Sequence, residues 1–269
     1  MLQLKEISFS YDRKCPTLEH ISMSFQEGKI TGILGANGSG KSTTMKIITG
    51  LLTPQAGEVL YQGSPVSMTK KALYQYRQDV NMVFQNPEQQ LFYTIVKDDI
   101  GLALENLDYT PSEIDERVSQ ALEMMDIEHL ADKPIQYLSY GQKKRVAIAG
   151  MLALQPKYLL LDEPTAGLDP KGRRKMAESM KKLVASGTNI ILTSHDMDLM
   201  YDCCDYSYLL HKGKLLAEGD KFQLFQEVEL LEQAGLEAPW IVKLHQAIKA
   251  PLALDEMDFF KQLKGDARW

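Results

Sequence analysis

A glycine-rich run between residues 35 and 43 carries residue types that bind phosphate. Gly35, Gly40, Lys41 and Ser42 match the spacing G-x-x-x-x-G-K-[ST]. Glycines let backbone N–H groups turn inward around phosphate oxygens, the lysine can bridge the β- and γ-phosphates, and the hydroxyl can ligate Mg²⁺. The alternative is an ordinary glycine turn between a strand and a helix. The flanking apolar segments favour a nucleotide-phosphate loop, with these binding residues: Gly35, Ala36, Asn37, Gly38, Ser39, Gly40, Lys41, Ser42 and Thr43.

Two adjacent carboxylates, Asp162 and Glu163, follow a second apolar run at 158–161. Adjacent residues on a strand point to opposite sides, so these two carboxylates can divide their roles. Asp162 can hold the Mg²⁺ shell while Glu163 polarises a water for attack on a phosphoryl group. The alternative is a strand that ends in a charged turn. A phosphate loop in the same chain favours the catalytic interpretation.

Three further side chains lie at predicted strand ends, and each admits two interpretations. Gln85 can ligate Mg²⁺ and contact the attacking water, or it can be a solvated loop residue. His195 can take part in catalysis, although an isolated histidine is more often structural. The ring of Tyr11 can stack on a purine or pack on its own sheet.

A helix is predicted to begin just after Ser139, a plausible N-cap residue. Ser139 and the backbone at Gly141 would then lie at a helix N-terminus, which attracts anions. The basic triplet Lys143, Lys144 and Arg145 in the next turn is expected to form a solvated helix face.

Hydrophobic periodicity predicts the elements that position these residues. Residues 2–11 and 21–25 alternate as antiparallel strands, whereas 30–34 reads as a buried strand. No strand pattern interrupts residues 86–137, so a helical insertion is predicted there. The predicted fold is α/β: a mixed sheet core with an antiparallel β subdomain, an inserted helical subdomain and a small C-terminal helical appendage. The predicted units are 1–218, with the helical subdomain at about 86–155, and the appendage at 219–269.

Composition limits the functional classes. The 269 residues are 44% apolar and 25% charged, as in a globular protein, and the net charge of −6 argues against nucleic acid as a partner. We find neither a signal-peptide pattern nor an apolar run long enough to span a bilayer, so we expect the chain in the cytoplasm. Cys15, Cys203 and Cys204 lack metal-ligand spacing and are expected to be reduced and buried.

Taken together, these motifs resemble the ATP-binding-cassette (ABC) ATPases, a class of P-loop NTPase, over residues 1 to about 218. Tyr11 stands where that family places an adenine-stacking aromatic residue. The motifs that carry the resemblance occur in the family's order: GANGSGKS at 35–42, Gln85, LSYGQ at 138–142, LLLDEP at 159–164, Ala166 to Asp169, and His195.

The resemblance implies roles for the site residues. In this family each ATP lies between the P-loop of one subunit and the signature loop of another, so this chain would form a head-to-tail dimer with two ATPs. Glu163 would be the base that orients water, His195 would contact the γ-phosphate, and Asp169 would link the two sites. The implied cofactors are ATP and Mg²⁺. The implied metal ligands are Ser42, Gln85 and Asp162, and the signature contacts to ATP are Ser139, Gly141 and Gln142.

Finer features resemble the ATPases of energy-coupling-factor importers. These are FQNPEQQLF at 84–92 and LSYGQKKRVAIAG at 138–150, of which LSYGQKKR is similar to the cobalt (and nickel) branch. Tyr140 departs from the wider family, where glycine is usual. The acidic pair Asp98 and Asp99 is hypothesised to meet basic residues of a membrane scaffold.

This subfamily resemblance implies a motor for import of cobalt or a similar divalent metal ion, peripheral on the cytoplasmic face of the cell membrane. Its implied partners are a second copy of the chain, a transmembrane scaffold protein and a substrate-capture membrane subunit. The alternatives are a vitamin-importing energy-coupling-factor ATPase paired with a paralogue, and a soluble ABC-type switch ATPase.

Overall fold

The computed structural model describes residues 1–12, 15–249 and 251–265. Within them the chain forms two sheets surrounded by helices. The strands are β1 (Leu2–Phe9), β2 (Leu18–Phe25), β3 (Ile30–Leu34), β4 (Ala56–Tyr61), β5 (Ser64–Pro65), β6 (Val80–Val83), β7 (Tyr158–Asp162), β8 (Asn189–Thr193), β9 (Tyr206–His211) and β10 (Lys214–Asp220). The helices are α1 (Lys41–Ile48), α2 (Lys70–Asp79), α3 (Val96–Glu105), α4 (Pro111–Met124), α5 (Tyr140–Leu152), α6 (Pro170–Ala185), α7 (Met197–Cys203), α8 (Lys221–Leu224), α9 (Val228–Gln233), α10 (Trp240–Ile248) and α11 (Glu256–Gly265).

The larger sheet has six strands in the order β10-β9-β3-β8-β7-β6. All pairs from β9 to β6 are parallel, and β10 closes one edge as an antiparallel hairpin with β9. Strands β3, β6, β7 and β8 are buried at every position, because one face packs against helices α3 to α6 and the other against α1 and the strands β1 and β2. Because these strands are parallel, the carboxyl ends of β3, β6, β7 and β8 lie on the same side of the sheet. The candidate site residues lie at or after these ends.

The smaller sheet is antiparallel, in the order β2-β1-β4-β5. Buried and solvated positions alternate along β2, which confirms the strands expected in the first 25 residues. The inner face of this sheet packs with α1 in a core cluster separate from the core that extends into the helical region. The mixed α/β fold predicted from the sequence is confirmed.

Helices α3, α4 and α5 lie within residues 86–155, as the pattern predicted. One face of each helix enters the larger core cluster. After Gly219 the chain is again mainly helical, and Tyr201 of α7 donates a hydrogen bond of 2.7 Å to the carbonyl of Ala253 in this last part. Strand β10 continues to Asp220, and the limits 1–218 and 219–269 stay predictions. No helix among the residues that the structure describes could cross a membrane.

The expectation that all three cysteines are buried is wrong for Cys15. Cys203 and Cys204 are buried at the end of α7, whereas Cys15 is exposed in the loop between β1 and β2. Burial raises the pKa of Cys203 to about 12, so this thiol stays protonated at neutral pH. The difference arises because a surface connection offers no apolar surroundings to the Cys15 side chain.

Helix α4 supplies a test of local stability. Thr110 caps it, because its hydroxyl accepts from the Glu113 N–H and the Glu113 carboxylate accepts from the Thr110 N–H. We expect Thr110→Ala to lower the free energy of unfolding by about 1 kcal/mol, measured by urea denaturation. The matched control is Ser112→Ala in the exposed first turn of the same helix. An equal loss in both variants would contradict the assigned cap.

Candidate active site

The loop after β3 is shaped by close backbone approach. Gly35 has a φ of +151°, and a Cβ there would lie 2.4 Å from Ser39 Oγ and 2.5 Å from the Leu210 carbonyl oxygen. No other residue fits this position without displacing the neighbouring strand. Gly40, with a φ of 108°, is the N-cap of α1, so the free N–H groups of the first turn face the loop. This arrangement is a ready anion site.

Lys41 closes the loop from the first position of α1. Its Nζ donates to the carbonyl oxygens of Gly35 at 2.7 Å and of Ala36 at 3.2 Å. An ammonium has three N–H groups, so these bonds leave one for a phosphate oxygen. Burial lowers the pKa of Lys41, and the charges of Glu163 and Asp162 partly oppose that shift. A bound phosphate would add a further negative charge and favour the ammonium.

Ser39 gives an independent sign that the loop fits a polar ligand. Its hydroxyl is one of three buried side-chain polar groups that lack a hydrogen-bond partner among the described residues. Buried polar groups are normally hydrogen-bonded, and the exceptions often mark functional sites. A phosphate oxygen in the loop would supply the acceptor for this hydroxyl.

The two carboxylates at the end of β7 make different contacts. Asp162 accepts a hydrogen bond of 2.6 Å from the Thr193 hydroxyl on β8, and it is 7% exposed. Glu163 follows with a φ of +50°, in the left-handed region that residues other than glycine seldom adopt. Its N–H donates to Thr193, to the carbonyl oxygen at 3.1 Å and to the hydroxyl at 3.2 Å. Thr193 therefore holds both carboxylate residues.

The structure brings His195 to Glu163. His195 Nδ1 lies 3.0 Å from Glu163 Oε2, and the Ser194 hydroxyl donates to the same oxygen at 3.4 Å. The glutamate side chain is 8% exposed, whereas the histidine side chain is 62% exposed. The carboxylate is thus held from inside the protein while the imidazole borders solvent. This pair can orient a water molecule against a phosphoryl group.

The three predicted metal ligands lie at or after the carboxyl ends of parallel strands. Asp162 is a buried carboxylate, Ser42 is exposed in the first turn of α1, and Gln85 is exposed after β6. The part of the chain that the structure describes holds no cluster of three or more His, Cys, Asp or Glu residues that could bind a metal by itself. Hydroxyl, carboxylate and amide oxygens suit Mg²⁺, which commonly takes its other ligands from phosphates and water. The donor set fits, and the assignment stays a prediction.

The structure is compatible with both interpretations of Tyr11, stacking on a purine and packing on its own sheet. Its hydroxyl lies 3.3 Å from Thr43 Oγ1, and its ring meets the Phe9 ring edge-on at a centroid distance of 5.0 Å. The residue is nevertheless 62% exposed at the mouth of the phosphate loop. The ring is anchored by the sheet, and exposed surface remains for stacking.

The signature residues do not join the phosphate loop. Ser139 caps α5 as predicted, in a reciprocal capping box with Gln142. With Gly141 and Asp169 they line a cavity of about 540 Å³, and none of the described residues lining it belongs to the phosphate loop. Ala36 and Asn37 of that loop line a different cavity, together with His195. In one chain, the phosphate loop and the signature residues therefore line separate cavities.

The expectation of a solvated basic face on α5 is wrong for Lys144. This residue is 1% exposed, and its Nζ donates to the carbonyl oxygens of Glu163 and Ala166. Burial lowers its pKa to about 8, against the opposing charges of Glu163 and Asp162. The missed signal is helical spacing, because Lys144 precedes the apolar Ala147 and Ile148 by three and four residues.

Sequence reasoning also missed Thr193 and Ser194. Both are completely buried at the end of β8, where they hold Asp162 and Glu163. Two hydroxyl residues that end an apolar strand just before His195 are a readable signal. Their acceptors, however, lie 31 positions away in sequence, so only the sheet register identifies them.

Replacement of Lys41 tests the phosphate loop. We expect Lys41→Ala to weaken ATP binding by about tenfold to a hundredfold, because a charge-assisted hydrogen bond to phosphate is lost. Isothermal titration calorimetry with ATP measures the effect. Lys46→Ala, in the last turn of the same helix, is the control and should keep the wild-type affinity. Undiminished affinity in Lys41→Ala would contradict the assignment.

Two curated relatives span almost the whole chain. The cobalt import ATP-binding protein CbiO of Salmonella typhimurium is 47% identical over 264 residues, which are 98% of this chain and 97% of that protein. The energy-coupling factor transporter ATP-binding protein EcfA of Methanocaldococcus jannaschii is 40% identical over 244 residues, which are 91% of this chain and 88% of that protein.

Solved structures share the fold. The structure of cbiO1 from Clostridium perfringens, part of the ABC transporter complex cbiONQ, matches with a TM-score of 0.80 and 37% identity, covering 91% of this chain and 98% of that chain. A dimeric ATP-binding cassette in a post-hydrolysis state, bound to ADP and Pi, matches with a TM-score of 0.74 and 28% identity, covering 82% of this chain and 99% of that chain.

The sequence profile of the ABC transporter family matches residues 18–166, more than half of the chain. This span contains the phosphate loop, Gln85, the signature residues and both carboxylates. With these matches and the motifs in one fold, the chain belongs to the ABC transporter family, as an ATP-binding subunit with ATPase activity.

Proposed function

We propose that this chain is the ATP-hydrolysing motor subunit of an energy-coupling-factor-type importer, for cobalt or a similar divalent metal ion. The observation that carries the proposal is the near-full-length similarity to a cobalt import ATP-binding protein. The signature sequence LSYGQKKR supports the same branch. Identity to CbiO is 47%, against 40% to EcfA, which favours the cobalt-importing branch.

The working unit is a head-to-tail homodimer that encloses two ATPs. The division of the chain into two half-sites supports this arrangement, since the phosphate loop and the signature residues line different cavities. A dimeric cassette with ADP and Pi shares the fold. In the dimer, Ser139, Gly141 and Gln142 of one copy contact the γ-phosphate held by the phosphate loop of the other copy. Closing and reopening of this dimer drives the membrane partners.

The chemistry follows from the residues after the parallel strands. Lys41 and the first N–H groups of α1 hold the phosphates, and Tyr11 stacks on the adenine. Glu163 accepts a proton from the attacking water, while His195 steadies the carboxylate and contacts the γ-phosphate. Bound Mg²⁺, held by Ser42, Gln85 and Asp162, would neutralise phosphate charge. Asp169, which caps α6 through the Gly172 N–H at 2.6 Å, links one site to the other.

A groove in the helical region is suited to a membrane scaffold. Its volume is about 300 Å³. Two aromatic residues adjacent in sequence to lining residues, Phe92 and Tyr137, are 75% and 79% exposed. Two of the groove's lining residues, Glu88 and Leu91, follow Gln85 by three and six residues, so a scaffold helix seated there would contact the segment that leads out of β6. The lining residues are Glu88, Leu91, Tyr93, Thr94, Ile135, Gln136 and Lys143.

The hypothesis of an acidic pair on this surface is wrong for Asp99. Asp99 is 8% exposed, and its Oδ1 accepts from the N–H groups of Phe92 and Tyr93 at 2.6 and 2.7 Å. Burial raises its pKa, and these two hydrogen bonds oppose the shift. Asp99 therefore shapes the groove from within, and Asp98 alone is exposed for a basic scaffold residue.

Replacement of Glu163 separates ATP binding from hydrolysis. Glu163→Gln removes the proton acceptor, so we expect turnover to fall about a hundredfold or more. ATP binding should persist, and ATP should convert the variant from monomer to dimer in analytical ultracentrifugation. Glu178→Gln, an exposed residue of α6, is the control for loss of one charge. Wild-type turnover in Glu163→Gln would exclude Glu163 as the base, and absence of an ATP-dependent dimer would contradict the homodimer.

Purification with the products of neighbouring genes tests the transporter assignment. We expect this chain to copurify from membranes with a scaffold protein and a small metal-binding membrane subunit, as the only ATPase found by mass spectrometry. A second cassette ATPase in the complex would instead identify a vitamin-importing module. Copurification with ribosomes or DNA factors alone would identify a soluble switch ATPase and reject the transporter function.

A further inference from the structure

Lys144 places a buried positive charge near the carboxylates of Asp162 and Glu163. It lies on α5, five residues after the cap Ser139, and it is 1% exposed. Its Nζ donates to the carbonyl oxygen of Glu163 at 2.5 Å and to that of Ala166 at 3.0 Å. A buried ammonium is costly unless it is hydrogen-bonded, so this side chain is held by the two carbonyls.

Both carbonyls belong to the turn of residues 163–169, which joins the base to Asp169. The turn is closed by hydrogen bonds from Ala166 N–H to the Glu163 carbonyl at 3.2 Å and from Leu168 N–H to the Thr165 carbonyl at 3.1 Å. Glu163 adopts a φ of +50° at its first position. Such a backbone conformation persists only where surrounding groups determine it. Lys144 is one of those groups, because it binds the carbonyl of the same residue.

Tyr140 joins the same contact from one helical turn earlier. Its ring centre lies 5.5 Å from Lys144 Nζ, and its hydroxyl donates to the Gln85 carbonyl oxygen at 3.2 Å. A Cβ at Gly167, which has a φ of +77°, would lie 3.0 Å from that ring. The first turn of α5, which carries the signature residues and is called the signature helix from here on, thus packs directly against the 163–169 turn.

We infer that Lys144 is a positioning residue for ATP hydrolysis. It fixes the 163–169 turn to the signature helix, and so holds the Glu163 carboxylate in its catalytic orientation when that helix binds ATP. The ammonium touches main-chain oxygens and acts through Glu163. In the proposed homodimer, on which this part of the inference rests, α5 serves one ATP and Glu163 serves the other. Lys144 then makes the two half-sites of one chain move together.

The test removes the ammonium and keeps the shape. We expect Lys144→Met to lower kcat about tenfold or more, since small displacements of a catalytic group cost large factors in rate. The Kd for ATP should stay within about twofold of wild type, because the phosphate loop is untouched. Lys144→Arg, which keeps a cation and its donors, should recover most of kcat. Lys182→Met, exposed on α6, is the control for the same side-chain change.

The outcomes separate positioning from simple structural support. Folded Lys144→Met with wild-type kcat overturns the inference, and so does an equal loss in kcat and in ATP affinity. Where Lys144→Met does not fold, Lys144→Gln, which keeps a neutral N–H donor, is measured for the same split. If Glu163→Gln fails to dimerise with ATP while Lys144→Met loses only turnover, the homodimer is rejected and the positioning role stands.

Discussion

The register between β7 and β8 is the constraint on which the catalytic groups depend. Asp162 lies opposite Thr193, and the threonine hydroxyl and carbonyl hold Asp162 and the Glu163 N–H at once. A slip of one residue would turn every side chain of a strand to the other face. Asp162 and the Glu163 N–H would then lose their hydrogen bonds with Thr193. The buried apolar positions along these strands make that slip costly.

The candidate site also depends on a balance of buried charges. Two buried carboxylates after β7 lie near two buried ammonium groups, Lys41 from the phosphate loop and Lys144 from the signature helix. Burial opposes ionisation of each lysine, and the carboxylates favour it. Each of these buried charges has opposite charges near it, which offset part of the cost of its burial. Glu163 is therefore embedded in a charge network that includes Lys41 of the phosphate loop and Lys144 of α5.

The contacts of α5 link several parts of the candidate site. The signature helix contacts the 163–169 turn through Lys144 and Tyr140, and Tyr140 also reaches the Gln85 carbonyl at the end of β6. The groove proposed for a scaffold is lined in part by Glu88 and Leu91, which follow Gln85 by three and six residues. The first two turns of α5 thus contact both the end of β6 and the turn that begins at Glu163.

The sequence by itself determined the phosphate loop, the strand-end carboxylates, the cap of α5 and the α/β class, because each is a local pattern of residue types at short spacing. It did not reveal that Lys144 and Asp99 are buried, or that Thr193 holds both carboxylates. A charged residue in a helix or loop is normally solvated, and its burial depends on partners distant in sequence. Only the tertiary structure brought the carbonyls of residues 163 and 166 to Lys144, and so decided which charged side chains are buried and which are exposed.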